Sequence, residues 1–170
     1  MSRIFFTADP HFGHANIIRY ENRPFASAEE MDQELIRRWN ETVSPEDTVY
    51  LLGDFSFYGK EKSTEILAAL NGEIRLVMGN HDTRSTQWYR DCGFREVYDC
   101  PILFESFWLL SHEPLYLNSN MPYGNLFGHV HGNPAYSDAS AQSCCVCVER
   151  TDYRPISFDD IKRRMGLITD

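Results

Sequence analysis

All six histidines of this chain fall in short polar loops, and most of these loops directly follow an apolar segment typical of a β-strand. They are His11, His14, His81, His112, His129 and His131. A single histidine more often has a structural role than a ligand role, but here none is left over for an ordinary core or surface position. Imidazoles gathered at strand ends indicate a site that binds metal or moves protons.

Two of these loops carry pairs of ligand-type side chains. Asp9-Pro10-His11 places a carboxylate and an imidazole two residues apart, and His129-Val130-His131 places two imidazoles at the same spacing. In an extended segment, residues i and i+2 point to the same side. Each pair is therefore predicted to reach a single ion.

Two further loops carry an oxygen ligand directly after a glycine, which permits a close backbone approach. Asp54 follows Gly53, and Asn80 follows Gly79. Alone, Gly-Asp indicates only a turn, and Asn80-His81-Asp82 only a polar loop or a helix cap. Beside the two histidine-bearing pairs, we interpret both loops as parts of one site.

The donor chemistry restricts the metal. The candidate ligands are carboxylate, imidazole and amide groups, without thiolate: Asp9, His11, Asp54, Asn80, His112, His129 and His131. Such donors suit Mn, Fe, Zn, Ni or Co, and we take manganese as the leading candidate. Seven ligands exceed what one tetrahedral ion uses, so we predict two divalent ions that share a bridging carboxylate. Two ions about 3.5–4 Å apart are a known device for hydrolysing phosphate esters.

Short strands are predicted to carry these loops at their ends. The predicted strands are Arg3–Ala8, Thr48–Leu52, Ile74–Met78, Ile102–Phe104 paired with Phe107–Leu110, Leu126–Phe127 and Ser143–Glu149. The last contains Cys144, Cys145 and Cys147, which we interpret as small apolar residues of a buried strand.

Helices are predicted between the first strands and at the end of the chain. Ser27 and Glu30 have the spacing of a capping box, and the helix they open carries Met31, Leu35 and Trp39 on one face. Further helices are predicted at Lys60–Leu70, at Ser85–Asp91 and from Ser157 to near Gly166. Strand–helix alternation followed mostly by strands predicts a mixed architecture with more than one sheet.

Length and composition indicate a single globular domain over residues 1–170. Hydrophobic residues make up 42% and charged residues 24% of the chain. No stretch approaches the ~18 apolar residues of a membrane span, and the first residues do not resemble a signal peptide. The five cysteines show no zinc-site spacing, so we expect reduced thiols and a cytoplasmic location.

The formal net charge of −9 disfavours long nucleic acids as partners, because affinity for a phosphate backbone usually needs a basic face. Part of the excess acid is available to hold cations. A phosphate-ester small molecule or a nucleotide remains compatible with this charge. No feature of the sequence indicates an oligomeric state.

The order of the motifs resembles that of a known superfamily. Asp-x-His, Gly-Asp, Gly-Asn-His-Asp, a lone His and Gly-His-x-His follow one another from Asp9 to His131. This ordered set resembles the calcineurin-like metallophosphoesterase superfamily, and the opening Asp9–His14 is similar to small bacterial or phage phosphoesterases without a cap domain. The resemblance implies an α+β or mixed α/β fold, a four-layer αββα sandwich of two mixed β-sheets flanked by helices.

The resemblance also assigns roles to the ligands. It implies that the first ion is held by Asp9, His11 and His131. The second ion would be held by Asn80, His112 and His129, and Asp54 would bridge the two. The site is expected at one edge of the sheets.

His81 matches the superfamily's catalytic histidine, which donates to the leaving-group oxygen or stabilises transition-state charge without binding metal. Asp82 is expected either to orient His81 or to serve only as a loop or cap residue. His14 is expected to contact phosphate or to support the first ion. Arg19, Arg23 and Arg84 are candidate substrate-binding residues near the motif loops, or solvated surface charges.

These assignments predict a dinuclear phosphoesterase in which a hydroxide shared by the two ions attacks phosphorus. The alternative is a metal-binding scaffold used for protein interaction, which the presence of His81 disfavours. The segment Gly53–Phe57 lacks the second aspartate and the arginine of the Ser/Thr protein phosphatases, so phosphoprotein phosphatase activity is not expected. The short intervals between motifs predict an open site for small phosphodiesters, nucleotides or strand ends, and leave monoester against diester open.

Overall fold

Two β-sheets and five α-helices form the structure, a computed structural model that describes residues 2–134 and 142–169. The strands are β1 (Ile4–Thr7), β2 (Thr48–Leu51), β3 (Glu73–Val77), β4 (Glu96–Tyr98), β5 (Ile102–Phe104), β6 (Trp108–Leu110), β7 (Gly124–Phe127), β8 (Ser143–Cys145) and β9 (Ile156–Ser157). The helices are α1 (Ala15–Tyr20), α2 (Ala28–Thr42), α3 (Lys60–Ala69), α4 (Thr86–Cys92) and α5 (Phe158–Arg164).

Both sheets are mixed. The first has the order β4-β3-β2-β1-β9, in which only β9 runs antiparallel to its neighbour. The second has the order β5-β6-β7-β8, in which β5 is antiparallel and the other pairs are parallel. The carboxyl ends of parallel strands meet at one edge of a sheet, so each sheet delivers its loops to one side of the molecule.

Alternation along the first sheet divides its side chains between two cores. On one face, Phe5, Val49 and Leu76 pack with Met31, Leu35 and Trp39 of α2 and with residues of α3 and α4. On the other face, Phe6, Tyr50 and Val77 pack against Trp108, Leu110 and Leu126 of the second sheet and against α5. This layering of two mixed sheets with flanking helices confirms the predicted sandwich.

The predicted strands and helices match the structure to within one or two residues, with one exception. Ser143–Glu149 is not a single strand, because β8 ends at Cys145 and a 3₁₀-helix covers Val148–Arg150. Between them the chain leaves the second sheet and crosses to the first: Cys147 bridges to Ala8, and the Val148 N–H donates to the Ala8 carbonyl at 3.1 Å. This crossing ties the two sheets together at the edge where the motif loops lie.

Helix α2 begins as the sequence predicts, with a small shift in its cap. The Ser27 hydroxyl accepts from the Glu30 N–H at 3.2 Å. The Glu30 carboxylate reaches back to the N–H of Ala26 at 2.8 Å, one residue before the position of an ideal capping box. Elements α1, β4 and β9 are short and were not predicted from the sequence.

Candidate metal centre

The structure brings all seven predicted ligands together where the strands end. The five loops that carry them follow β1, β2, β3, β6 and β7, and their side chains form one continuous set of contacts. The clusters include Asp9–His11–His131 and Asp9–Asp54–His112, each with ligand atoms within 4.8 Å of one another.

The backbone at this edge is left-handed at most of the ligands. The φ angles are 58° at Asp9, 54° at His11, 58° at Asp54, 70° at His129 and 50° at His131. The prediction that the i and i+2 pairs lie on extended backbone is therefore wrong. Asp9 and His11 still reach the same cluster, but His129 and His131 separate and face different clusters.

Glycines at this edge make room for the ligands. A Cβ on Gly79 would lie 2.3 Å from Asp54 Oδ1, and one on Gly53 would lie 2.3 Å from His112 Nδ1. A Cβ on Gly128 would lie 2.5 Å from Asp9 Oδ2. The glycine before each of these motifs is therefore required by the close approach of a ligand from another loop.

The first cluster joins Asp9, His11 and His131. Asp9 Oδ1 lies 3.7 Å from Nε2 of His11 and 3.7 Å from Nε2 of His131. Asp9 and His11 are almost completely buried, at 0% and 1% exposure. Asp9 Oδ1 and His11 Nε2 are also buried atoms without a hydrogen-bond partner. Two orphaned lone-pair atoms that face each other fit a cation between them, because buried polar atoms are otherwise almost always paired.

The second cluster joins Asn80, His112 and His129. Asn80 Oδ1 lies 2.9 Å from His112 Nε2 and 3.0 Å from His129 Nδ1, and the two nitrogens are 3.2 Å apart. Neighbouring donors around an octahedral ion with bonds of about 2.1 Å lie roughly 3 Å apart. The spacing of these three atoms therefore fits one face of such a coordination sphere.

Asp54 stands between the two clusters. Its Oδ2 lies 3.3 Å from His11 Nε2 of the first cluster and 3.5 Å from His112 Nε2 of the second. Its other oxygen, Oδ1, accepts from the backbone N–H of His81 at 2.9 Å. One carboxylate oxygen is thus fixed by the backbone while the other faces both sets of donors.

The Asp9 carboxylate is oriented in the same way. Its Oδ2 accepts from the backbone N–H of His129 at 2.8 Å, and the Cys147 thiol lies 3.3 Å away. These contacts turn Oδ1 toward His11 and His131. The Cys147 thiol in turn lies 3.3 Å from the thiol of Cys145, sulfur to sulfur.

Hydrogen bonds on the outer nitrogens set the tautomers of two ligand histidines. His112 Nδ1 lies 2.8 Å from the Leu52 carbonyl, which can only accept, so Nδ1 carries the proton and Nε2 is free to bind metal. His131 Nδ1 lies 3.0 Å from Glu149 Oε1 and faces the cluster through Nε2. Carboxylate and carbonyl partners of this kind typically orient metal-binding histidines.

Arg23 supports Glu149 and is not placed to contact substrate. The Arg23 side chain is 0% exposed, and its Nη2 lies 2.6 Å from Glu149 Oε1. Its other donors bond the carbonyls of Pro10 and Asp9, both at 2.8 Å. These contacts fix the loop that carries Asp9 and leave no guanidinium face for a phosphate.

His14 lies behind His11. The Nδ1 atoms of His11 and His14 are 3.1 Å apart. Burial, reinforced by the nearby charges of His11 and His81, lowers the pKa of His14 to about 4. A neutral His14 can accept the proton on His11 Nδ1, which leaves His11 Nε2 unprotonated toward Asp9 and Asp54. Of the two roles expected for His14, this geometry favours support of the first ion.

His81 lies at the open side of the site. It is exposed, and its ring centroid lies 5.6 Å from that of His11 and 5.3 Å from that of Phe57. Among the described residues, His81 contacts the predicted ligands by one hydrogen bond, in which its backbone N–H donates to Asp54 Oδ1. Its ring makes no hydrogen bond to these described ligands. The ring is therefore free to meet a substrate bound over the two clusters.

Asp82 organises the backbone of the motif loops. Its carboxylate accepts from the N–H groups of Asp54 at 2.7 Å, Gly79 at 2.8 Å and Phe55 at 3.1 Å. It is buried, and its described hydrogen bonds do not include the His81 ring. The structure thus favours the loop role for Asp82 over an orienting role.

The other two candidate arginines lie on the surface near the site. Arg19 is exposed and donates to the Asn16 side chain at 2.9 Å. Arg84 is exposed and lies over the Trp88 ring, 5.9 Å from its centroid. Neither contact prevents the guanidinium from turning toward a phosphate.

The buried charges shift one another's titration. Burial raises the pKa of Asp9, but the His11 hydrogen bond and the charges of His112 and His131 outweigh it and lower the pKa to about 2. Burial lowers the pKa of His11, but the nearby carboxylates of Asp54 and Asp9 outweigh this effect. The pKa of His11 is therefore raised. Glu149 raises the pKa of His131 in the same manner against burial. The carboxylates are therefore ionised at neutral pH, as metal binding requires.

Sequence reasoning missed four residues at the site: Glu149, Cys147, Glu113 and Glu21. Glu149 and Cys147 support ligands from the segment that was interpreted as a continuous strand. Glu113 clusters with His112 and His129, and Glu21 clusters with His131 and Glu149. The adjacency of Glu113 to His112 was the one signal available in the sequence. The other three reach the site only through the fold.

A cleft of about 490 Å³ lies beside the ligands His129 and His131, and two glutamates are among its lining residues. It is lined by His129, Val130, His131, Pro114 and Asn133, with Glu21 and Glu113 among the lining residues. The rings of His14, Phe57 and His81 form a set of aromatic contacts beside His11.

This fold and this donor set are those of metal-dependent phosphoesterases. The chain belongs to the calcineurin-like phosphoesterase family, whose model matches residues 2–161. The predicted resemblance is thereby confirmed.

Three known proteins illustrate the range of relatives. An uncharacterised protein of Methanocaldococcus jannaschii is 37% identical over 166 residues, which span 94% of this chain and 89% of that protein. A solved structure of a protein of unknown function from Aquifex aeolicus has a TM-score of 0.77 at 29% identity, covering 96% of this chain and all of the other. The Pseudomonas putida nuclease MPE has a TM-score of 0.52 at 25% identity, covering 76% of this chain and 62% of the nuclease.

The described helices of this chain include none with the length and apolar character needed to cross a membrane.

Proposed function

We propose that this chain is a dinuclear-metal-dependent phosphoesterase that hydrolyses mono- or diesters of small or nucleotide-like substrates. The observation that carries the proposal is the position of Asp54. One of its oxygens faces donors of both clusters, at 3.3 Å and 3.5 Å, while the other is held by backbone. A carboxylate in this position suits two ions that share a ligand, with manganese as the leading candidate and Fe, Zn, Ni or Co as others.

Each of the seven predicted ligands is assigned to one or both of these ions. One ion would be held by Asp9, His11 and His131. The other would be held by Asn80, His112 and His129, and Asp54 would contact both. Two bound divalent ions would lower the pKa of a water and offset the charge that develops on a phosphoryl group.

His81 is proposed as the general acid. Its ring is exposed at the mouth of the site and lies outside the two donor sets. It can therefore give a proton to the departing oxygen, or hold charge that develops there. Asp54 positions His81 through the backbone N–H of that residue, so the acid and the bridging carboxylate are mechanically linked.

The likeness to a solved nuclease supports a phosphodiester among the substrates. The exposure of His81 and His129 leaves room beside the clusters for a small ester or a nucleotide. The acidic rim formed by Glu21 and Glu113 is unfavourable for a long polyanion.

The test is metal reconstitution followed by a substrate screen. Protein stripped with a chelator is loaded with Mn, Ni, Mg or Zn, its metal content is measured by elemental analysis, and aryl phosphate monoesters and diesters are assayed. We expect about two ions per chain and metal-dependent hydrolysis. A maximum of one ion in every metal would contradict the dinuclear site. Two bound ions with no hydrolysis of any ester would favour the alternative of a metal-binding scaffold.

Asp54→Ala provides the matched variant. Because Oδ2 faces both clusters, we expect both ions to be lost together. Asp91→Ala, at an exposed position of α4, is the control and should retain both ions. Retention of one tightly held ion in Asp54→Ala would show that the carboxylate serves only one cluster.

A further inference from the structure

One side of the site is a row of aromatic rings that the proposed chemistry does not fully use. We call Tyr20, His14, Phe57 and His81 the aromatic wall. Neighbouring ring centroids along it are 6.3 Å, 4.0 Å and 5.3 Å apart. Phe57 is 44% exposed and Tyr20 68% exposed, although both are large rings beside a polar site.

Phe57 is held rigidly in this position. Its N–H donates to the Phe12 carbonyl at 2.9 Å, and Ser56 forms a bridge with Phe12. On the next residue, the Tyr58 hydroxyl donates to Asp32 at 2.9 Å. The His14 ring stacks on the Phe57 ring at an interplanar angle of 19°. Because this contact occupies the space beside Phe57, the rest of the ring stays exposed to solvent.

The wall also adjoins the reacting groups. The Phe57 centroid lies 5.3 Å from His11 of the first cluster and 5.3 Å from His81, the proposed acid. A flat group attached near the ester would therefore lie within reach of Phe57 while the phosphoryl group lies over the clusters.

The cleft beside His129 and His131 offers a substrate a second surface of different chemistry. The cleft beside His129 and His131 is rimmed by Glu21 and Glu113, which repel further negative charge. Glu21 directly follows Tyr20 in the chain, so the part of the wall farther from this carboxylate is formed by Phe57 and His81. A substrate with one phosphoryl group and one planar, uncharged ring is complementary to the clusters and to the exposed Phe57 ring beside them.

We propose that the aromatic wall binds the nucleobase of a nucleotide ester, stacked on Phe57 with Tyr20 beyond it. Aromatic side chains accept any base in this way, because every base has a π-face. The inference rests on the proposed phosphoesterase function and names its substrate class. The base can come from a free nucleotide or from the end of a single strand, since both present the same ring and phosphate.

Hydrolysis is tested on substrates that differ only in the base. The manganese-loaded full chain is assayed with dithymidylate, with its analogue that lacks one base, and with a ten-residue thymidylate strand. We expect the base-containing dinucleotide to be preferred in kcat/KM over the abasic analogue. Phe57→Ala should lower that preference by roughly 5- to 150-fold, mostly through KM, as expected for the loss of one stacked base. A higher kcat/KM for the strand than for the dinucleotide would identify strand ends as the source of the base.

Two further variants separate stacking from a structural effect. Phe57→Trp keeps a ring and should retain the preference, whereas Phe57→Leu fills space without a π-face and should lose it. Metal content is measured in each, so that displacement of His14 or His81 is detected. Phe107→Ala removes a partly exposed ring before β6, at the end of that strand away from His112, and should leave the preference unchanged.

Binding without turnover decides the inference independently of activity. Non-hydrolysable phosphonate analogues of thymidine 5′-monophosphate and of 2-deoxyribose 5-phosphate are titrated into the metal-loaded chain. We expect the nucleotide to bind more tightly, and Phe57→Ala to remove the difference. Equal affinity of the two ligands for the unmodified protein would overturn the inference, as would a base preference that Phe57→Ala does not change. Hydrolysis of aryl esters with no preference for a base would overturn it while leaving the phosphoesterase proposal intact. Failure of the proposal itself would appear as absence of hydrolysis of every ester.

Discussion

Glu149 holds the outer nitrogen of His131, with Oε1 3.0 Å from Nδ1, and the same oxygen accepts from the buried Arg23 at 2.6 Å. Burial opposes ionisation of Glu149, but His131 and Arg23 outweigh it and lower its pKa. The ionised carboxylate keeps the proton of His131 on Nδ1. Nε2 is thereby left to face Asp9, and the first cluster depends on a residue that contributes no ligand to it.

Glu149→Gln is expected to weaken the first ion's binding by about 10–100-fold, the usual effect of removing a partner of a metal-binding histidine. It also leaves Arg23 buried without a counter-ion, so we expect the free energy of unfolding to fall by about 3–5 kcal/mol. Calorimetric metal titration and urea unfolding measure the two effects. Glu46→Gln, at an exposed position, is the control. Undiminished affinity for the first ion in Glu149→Gln would show that Glu149 does not act through His131.

His81→Ala is expected to leave both ions bound, because its ring lies outside both donor sets. Turnover should fall by about 10²–10⁴-fold, the range for losing a positioned general acid. A nitrophenyl ester should suffer less than an alkyl ester, since nitrophenolate leaves without much protonation. The comparison variant is His112→Ala, which should lose the second ion and depress all substrates alike. An empty metal position in His81→Ala would mean that His81 is itself a ligand.

Acid is expected to release the bound metal ions. Protons compete with metal for the imidazoles, and the raised pKa values of His11 and His131 enlarge the protonated fraction of each at any given pH. Competition therefore begins above the unperturbed value of about 6.5, and affinity falls as the pH drops through and below that region. Asp9, with a pKa of about 2, stays ionised throughout. Chelator competition from pH 8 to pH 5 measures the effect, and constant affinity across this range would argue against histidine ligands.

Gly79→Ala is expected to disrupt the centre from outside the ligand set. The new Cβ would lie 2.3 Å from Asp54 Oδ1 and 2.8 Å from His112 Cε1, so the ligands must move apart. We expect both ions to bind at least ~10-fold more weakly, and a loss of about 1–3 kcal/mol in the free energy of unfolding, as in other overpacked sites. A Cβ on Gly59 meets nothing within 4 Å, so Gly59→Ala should bind metal normally. Metal titration of the two variants side by side makes the comparison.

Much of this site could be predicted from the sequence because its ligands follow strands with strong apolar patterns. Asp9, Asp54 and Asn80 each come one to three residues after such a strand, and parallel strands deliver their ends to one edge. The same regularity gave the helix bounds, since Ser27, Ser85 and Ser157 each cap the helix that they precede.

The sequence did not reveal the contacts that depend on the crossing between the sheets. The apolar pattern predicts a continuous strand through Cys147 and Glu149, whereas the bridge from Cys147 to Ala8 places Cys147 beside Asp9 and Glu149 beside His131. Arg23 looked available to a phosphate because burial of a charged side chain cannot be read from local pattern. Its partner lies 126 positions away.

The left-handed backbone at Asp9, His11, Asp54, His129 and His131 has a consequence for anyone who wishes to make this protein more robust. Such a conformation costs roughly 1–2 kcal/mol per non-glycine residue, although Asp and His tolerate it better than most. Replacing His129 or His131 with glycine would remove that cost but would also remove a ligand. In the absence of metal, the most stable variants should therefore be ones that can no longer bind metal. A selection for thermal resilience alone, carried out in the presence of a chelator, would therefore drift toward inactive sequences. Selection in the presence of metal would retain the ligands, because ions that bind only the folded chain stabilise it and offset the cost of the left-handed backbone.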